Sequence, residues 1–138
     1  MRFTLVLEVM LALTATASFG GQQKPALECC PSKTERLGPQ QLKLMVLATE
    51  PIQLSGRAHI DSTVVLAITV DSGGKVFCLQ FVSGHPLLAS AAIESVKRWR
   101  FRPHVVHGRS KSFCGKIALR IRANDEGVTY DVVEASPN

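Results

Sequence analysis

From Thr63 to Val70 apolar and polar positions alternate, with Val64, Leu66, Ile68 and Val70 on one side and Thr63, Val65, Ala67 and Thr69 on the other. A period of two with β-branched residues predicts a strand with one buried face. Asp71-Ser72-Gly73-Gly74 supplies the short polar and glycine residues of a hairpin turn. Val76 to Ser83 then returns as a second strand, with Phe77, Leu79 and Phe81 on one face and Cys78 and Gln80 on the other. Gly84 breaks this alternation. Pro86 suits the first turn of a helix, where its missing N–H has no partner to lose. Leu88, Ala92, Val96 and Trp99 follow at three- and four-residue steps, so the period lengthens to that of a helix with one apolar stripe, Pro86 to Trp99. Pro103 closes this region. From Phe113 to Arg122 the period is two again, Ile117, Leu119 and Ile121 facing one way and Lys116, Arg120 and Arg122 the other. Upstream, Leu42, Met45, Val46 and Thr49 stand at helical spacing in a segment that ends at Glu50-Pro51, because a residue before proline disfavours helix.

Two hairpin strands, a crossover helix and a third strand predict an α+β domain over residues 39–124. Its expected form is a three-stranded antiparallel sheet with helices packed on one face. A right-handed crossover sets the third strand beside the first and leaves the second and third strands as parallel edges. The expected structural core is Val64, Leu66, Ile68, Leu88, Ala92, Val96, Trp99 and Phe101. An exposed tryptophan can anchor an interface, but the stripe places Trp99 between helix and sheet. Residues 125–138 are polar and end near a proline, which predicts a flexible tail.

The turn, the Ser83-Gly84-His85-Pro86-Leu87-Leu88 corner and the Trp99-Arg100-Phe101-Arg102-Pro103 run form one ordered pattern. With Val64 to Val70, Asp71, Gly74, Val76, Ala91-Ala92 and Val96, it resembles the C-terminal domain of TonB-type energy transducers across about half the chain. The resemblance implies a non-enzymatic, periplasmic module. Such a module binds an extended peptide of an outer-membrane receptor by adding it as a strand to an exposed sheet edge, beside the last strand. Here that edge is expected at Lys116, Ile117, Ala118, Leu119, Arg120, Ile121 and Arg122. An open edge also leaves room for a strand-exchanged homodimer. The family's proline–x–tyrosine–proline element is represented by Pro51 alone, with Gln53-Leu54 where tyrosine and proline are expected, so contacts made through it do not carry over. Two further readings compete: a secreted scaffold that kept the fold without receptor binding, and a basic domain binding nucleic acid or lipid.

Residues 1–19 have the organisation of a signal peptide: Arg2, the mostly apolar Phe3 to Thr14 interrupted by Glu8, and the cleavage-type Ala15-Thr16-Ala17. A polar leader, residues 20–38, carries Cys29-Cys30. Together they predict a periplasmic or secreted protein with no membrane-spanning segment after cleavage, since no apolar run approaches the roughly 18 residues required. At 138 residues, 46% hydrophobic and 20% charged, the chain is of one-domain, globular type. Its net charge of +5 and the cluster Lys97, Arg98, Arg100, Arg102, Arg109, Lys111 and Lys116 attract any anionic partner. In an exported protein whose aromatic residues are core, nucleic acid is not the expected one.

An oxidising compartment makes the four cysteines disulfide candidates. Cys78 and Cys114 share one strand face and can pair if Cys114 curls past the first strand, with Cys29 and Cys30 as rival partners. Cys29 follows Glu28 and lies far beyond the apolar run, which argues against lipidation. His104 and His107 give no zinc spacing with the cysteines, and no cofactor is expected. His85 beside Pro86 has no nucleophile motif near it, and the chain offers no phosphate loop or paired-carboxylate pattern, so nothing supports an enzyme.

Overall fold

The computed structural model describes residues 29–134. In chain order these form β1 (Glu35–Arg36), α1 (Pro39–Met45), β2 (Val46–Ala48), β3 (Ile60–Val70), β4 (Val76–Ser83) and α2 (Pro86–Val96). There follow β5 (Arg100–Phe101), β6 (His104–Val106), β7 (Arg109–Lys111), β8 (Phe113–Asn124) and β9 (Gly127–Val133). The expected α+β class holds, but the sheet is larger than the three strands expected. Among the described residues it has five strands, with β4, β3 and β8 side by side and both β1 and β9 on the far side of β8. Two small pairs, β2 with β5 and β6 with β7, complete the strands.

β3 and β8 pair antiparallel from Ile60↔Ala123 to Val70↔Phe113, and this register decides both faces. Val64, Leu66, Ile68 and Val70 meet Leu119, Ile117, Gly115 and Phe113 on the side covered by the helices. Leu88, Ala92, Val96, Trp99 and Phe101 close that side, and each is at most 2% exposed. Leu42 brings α1 into the same core. At about 25 cal/mol per Å² of apolar area, this one-sided burial is the main stabilising term. The other face carries Thr69 between Cys78 on β4 and Cys114 on β8.

Four expectations need correction. The tail is not loose over its whole length: residues 127–133 are β9, which pairs with β8 from Ala118↔Val133 to Asn124↔Gly127. Val128, Tyr130 and Val132 fall on the core side and pack there, and that apolar contact holds the strand. β8 is therefore not an edge. The helix ends at Val96 and not at Trp99, since Trp99 N–H donates to Val96 O at 3.1 Å in a tighter turn. Cys78 and Cys114 are not bonded to each other, because β3 lies between their strands; the bonds are Cys29–Cys78 and Cys30–Cys114.

These bonds also revise the leader. From Cys29 onward it lies on the sheet, with the Cys29 carbonyl accepting from Thr69 Oγ1 and β1 running parallel to the start of β8. His104 Nε2, edge-on to Phe113, sits 3.0 Å from Glu35 Oε2 without the alignment of a hydrogen bond. The expected signal peptide, residues 1–19, lies outside the described residues.

Candidate functional site

The residues of the sequence pattern build the corners that present β4. Asp71 Oδ1 accepts from Gly73 N and Lys75 N, both at 2.9 Å, closing the β3–β4 turn on a side chain. Gly74 has φ +84°, a conformation L side chains rarely adopt. A Cβ there would also run into the Phe101 carbonyl, while Phe101 N donates to Gly74 O at 2.9 Å. The turn and the Trp99–Phe101 run are thus one joint. At the other end Gly84, φ +130°, lets the chain pass against Thr63 and Val64 of β3. His85 then caps α2, its Nδ1 accepting from Leu87 N at 3.2 Å, with Pro86 next. His85 is a cap, and its ring is used for that.

Between these corners β4 pairs with β3 only, so among the described residues its outer edge carries unpaired backbone groups. Its sequence, VFCLQFVS, contains no charge and no proline. Phe77, Phe81 and Val82 are 60%, 43% and 42% exposed. The register with β3 shifts twice, and one shift frees Phe77 from direct pairing. Beside this edge, Val76, Phe77, Leu79, Ile93 and Lys97 line a groove of about 590 Å³ between the strand and α2. Lys97 is paired with Glu94 at 2.9 Å on the exposed helix surface. The site offers an extended backbone, apolar side chains and one ammonium group, which suits binding an extended chain.

The residues expected to receive a peptide are engaged otherwise. Ile117, Ala118, Leu119 and Ile121 are buried. On the opposite face Arg120 makes two 3.2 Å hydrogen bonds to Asp61, and Arg122 bridges Asp61 at 3.8 Å and Asp131 of β9 at 3.6 Å. The Arg120 hydrogen bonds, opposed by desolvation and assisted by the charges of Arg120 and Arg122, hold the Asp61 carboxyl below its ordinary range. Lys116 is exposed on that same face. The basic residues are spread over several elements, Lys97 at the end of α2, Arg100 in β5, Arg109 and Lys111 in β7, and Lys116 in β8.

Residues 53–122 match the family described as Gram-negative bacterial TonB protein C-terminal. The chain belongs to the TonB C-terminal family. No curated protein matches it. As a TonB-type domain it falls among protein-interaction modules of the transducer kind, which are not enzymes. No helix of the described residues is long and apolar enough to cross a membrane. The matched span stops at Arg122, so β9 lies beyond it, and so does the disulfide-bearing segment at its other end. Tyr130 and the pairing of β9 escaped the strand reading of the sequence. Val128, Tyr130 and Val132 alternate after an Asp125-Glu126-Gly127 turn, and that period of two was the available signal.

Proposed function

We propose that this chain is an exported, non-enzymatic periplasmic module that binds an extended segment of an outer-membrane receptor by strand addition. The receiving edge is β4 in place of β8. The observation that carries this reading is the unpaired, uncharged, phenylalanine-bearing strand Val76–Ser83 beside a groove. Natural sheet edges are usually blunted by charge, proline, cover or bulges; β4 has two register shifts but neither charge nor proline, which leaves its neutral outer edge as a pairing surface. Main-chain hydrogen bonds would supply affinity, and Phe77 and Phe81 would select apolar side chains of the incoming strand. The signal-peptide pattern of residues 1–19 and the membership in a Gram-negative periplasmic family support the location.

The test is capture from outer-membrane extract, followed by hydrogen exchange on the complex with the captured receptor segment. Binding at β4 slows exchange within Val76–Ser83, and a Val82→Lys charge on that edge abolishes capture. Retention of no receptor segment would sink the function. Faster exchange in Gly127–Val133 with β4 unchanged would instead place the peptide on β8 after displacement of β9.

A further inference from the structure

The two disulfides pair the first cysteine with the third and the second with the fourth. Cys29–Cys78 and Cys30–Cys114 span 49 and 84 residues. Swapping the adjacent partners gives Cys29–Cys114 and Cys30–Cys78, which span 85 and 48 residues (114 − 29 and 78 − 30). Loop closure depends on length only as the logarithm, so the chain statistics of the two pairings differ by about 1%. An unfolded chain therefore has no means of telling them apart. Worse, Cys78 and Cys114 close the shortest loop apart from the adjacent pair, 36 residues (114 − 78). That bond is the favoured first product, yet in the fold β3 separates the two strands by roughly twice the 4.8 Å strand spacing, beyond disulfide reach.

What selects the native pairing lies in the folded sheet. Beyond Cys30 the chain runs into β1, whose Glu35 and Arg36 pair with Phe113 and Cys114, and Leu37 N donates to Cys114 O at 2.9 Å. This leads Cys30 over Cys114 and leaves Cys29, held by Thr69 Oγ1, over Cys78. The selecting contacts need β3 and β8 side by side, because Thr69 stands on one strand and Cys114 on the other. Cys29 and Cys114 are then buried at 4% and 0% exposure, which shields these two sulfurs, while Cys30 and Cys78 stay half-exposed.

We infer that maturation of this chain passes through catalysed thiol–disulfide exchange, and that its partner in this step is a dithiol isomerase. On the swapped isomer the catalyst thiolate attacks the half-exposed Cys30 Sγ, breaking Cys30–Cys78 and releasing the Cys78 thiolate. Cys78 attacks Cys29 Sγ, forming Cys29–Cys78 and releasing the Cys114 thiolate. Cys114 attacks Cys30 Sγ of the mixed disulfide, forming Cys30–Cys114 and returning the catalyst thiolate. Three bonds break and three form, with no net oxidation.

The inference is independent of what β4 binds. It is tested by diluting the reduced, denatured full chain into native buffer with a disulfide oxidant, with and without protein disulfide isomerase. Mass-spectrometric fragmentation between Cys29 and Cys30 assigns the pairing. Without isomerase the native and swapped isomers are expected in comparable amounts beside Cys78–Cys114 species, and isomerase raises the native share severalfold. A Cys30→Ala, Cys114→Ala double variant can form only one native bond and no swapped two-bond isomer. Thiol trapping of Cys29–Cys78 should show that its isomerase dependence falls well below that of the parent. Native pairing alone in the uncatalysed reaction would overturn the inference, as would an equal effect of isomerase on parent and double variant.

Discussion

Trp99, Ser95 and Tyr130 converge on one carbonyl. The Trp99 indole Nε1–H donates to Ser95 Oγ at 3.1 Å, and Ser95 Oγ donates to Glu50 O at 2.6 Å. Tyr130 O–H donates to the same oxygen at 2.7 Å, with its ring stacked on Trp99 at 5.8 Å. Because Trp99 is fully buried, its N–H needs this partner, and a lost partner costs the desolvation of the group left behind. Trp99→Ala should lower the unfolding free energy by about 3–5 kcal/mol, and Ser95→Ala by about 1–3 kcal/mol, both read from urea titrations of the oxidised protein. A Trp99→Ala variant as stable as the parent would show that the indole does not hold the layers together. The burial of Trp99 was legible from the stripe Leu88-Ala92-Val96-Trp99, even though the helix stops at Val96. Its polar partners were not legible, since Glu50 acts through its backbone and Tyr130 arrives from a segment read as tail.

At the scale of elements, β9 decides that β8 is not an open edge. It covers β8 from Ala118 to Asn124, and β1 covers Phe113 and Cys114, so among the described residues the outer strands of the sheet are β4 on one side and β1 and β9 on the other. Ending the chain after Glu126 should uncover β8 and produce a concentration-dependent dimer in sedimentation experiments, because an uncovered long strand recruits another. A truncated chain that stays monomeric at all concentrations would mean that β9 is dispensable as a cover. The hairpin β3–β4 and strand β8 could be read from their period of two because each has one buried face. The short strands β1, β2, β5, β6 and β7 have two or three residues each, too few for any period to show. The candidate edge was misplaced for a related reason: an edge is defined by what does not pair with it, which no single strand's sequence records.

For the molecule as a whole, the vicinal cysteines determine how a load would travel. Tension entering through the backbone upstream of Cys29 does not pass along the chain in order. It crosses from Cys30 to Cys114 and leaves along β8 toward β9, while a branch through Cys29 holds β4. Everything between Cys30 and Cys114, including both helices and β3, is a closed loop outside the direct covalent load path. The 84-residue separation of that bond corresponds to roughly 280–300 Å of contour length withheld from extension. Pulling the oxidised protein by its two ends should give a fully unfolded length shorter by that amount than the reduced protein. Equal lengths before and after reduction would rule out this load path. With the bond in place, the core holding Trp99 is bypassed by the covalent route, and a protein joined to whatever lies upstream of Cys29 transmits a pull mainly through the one strand that β3 and β9 clasp from both sides.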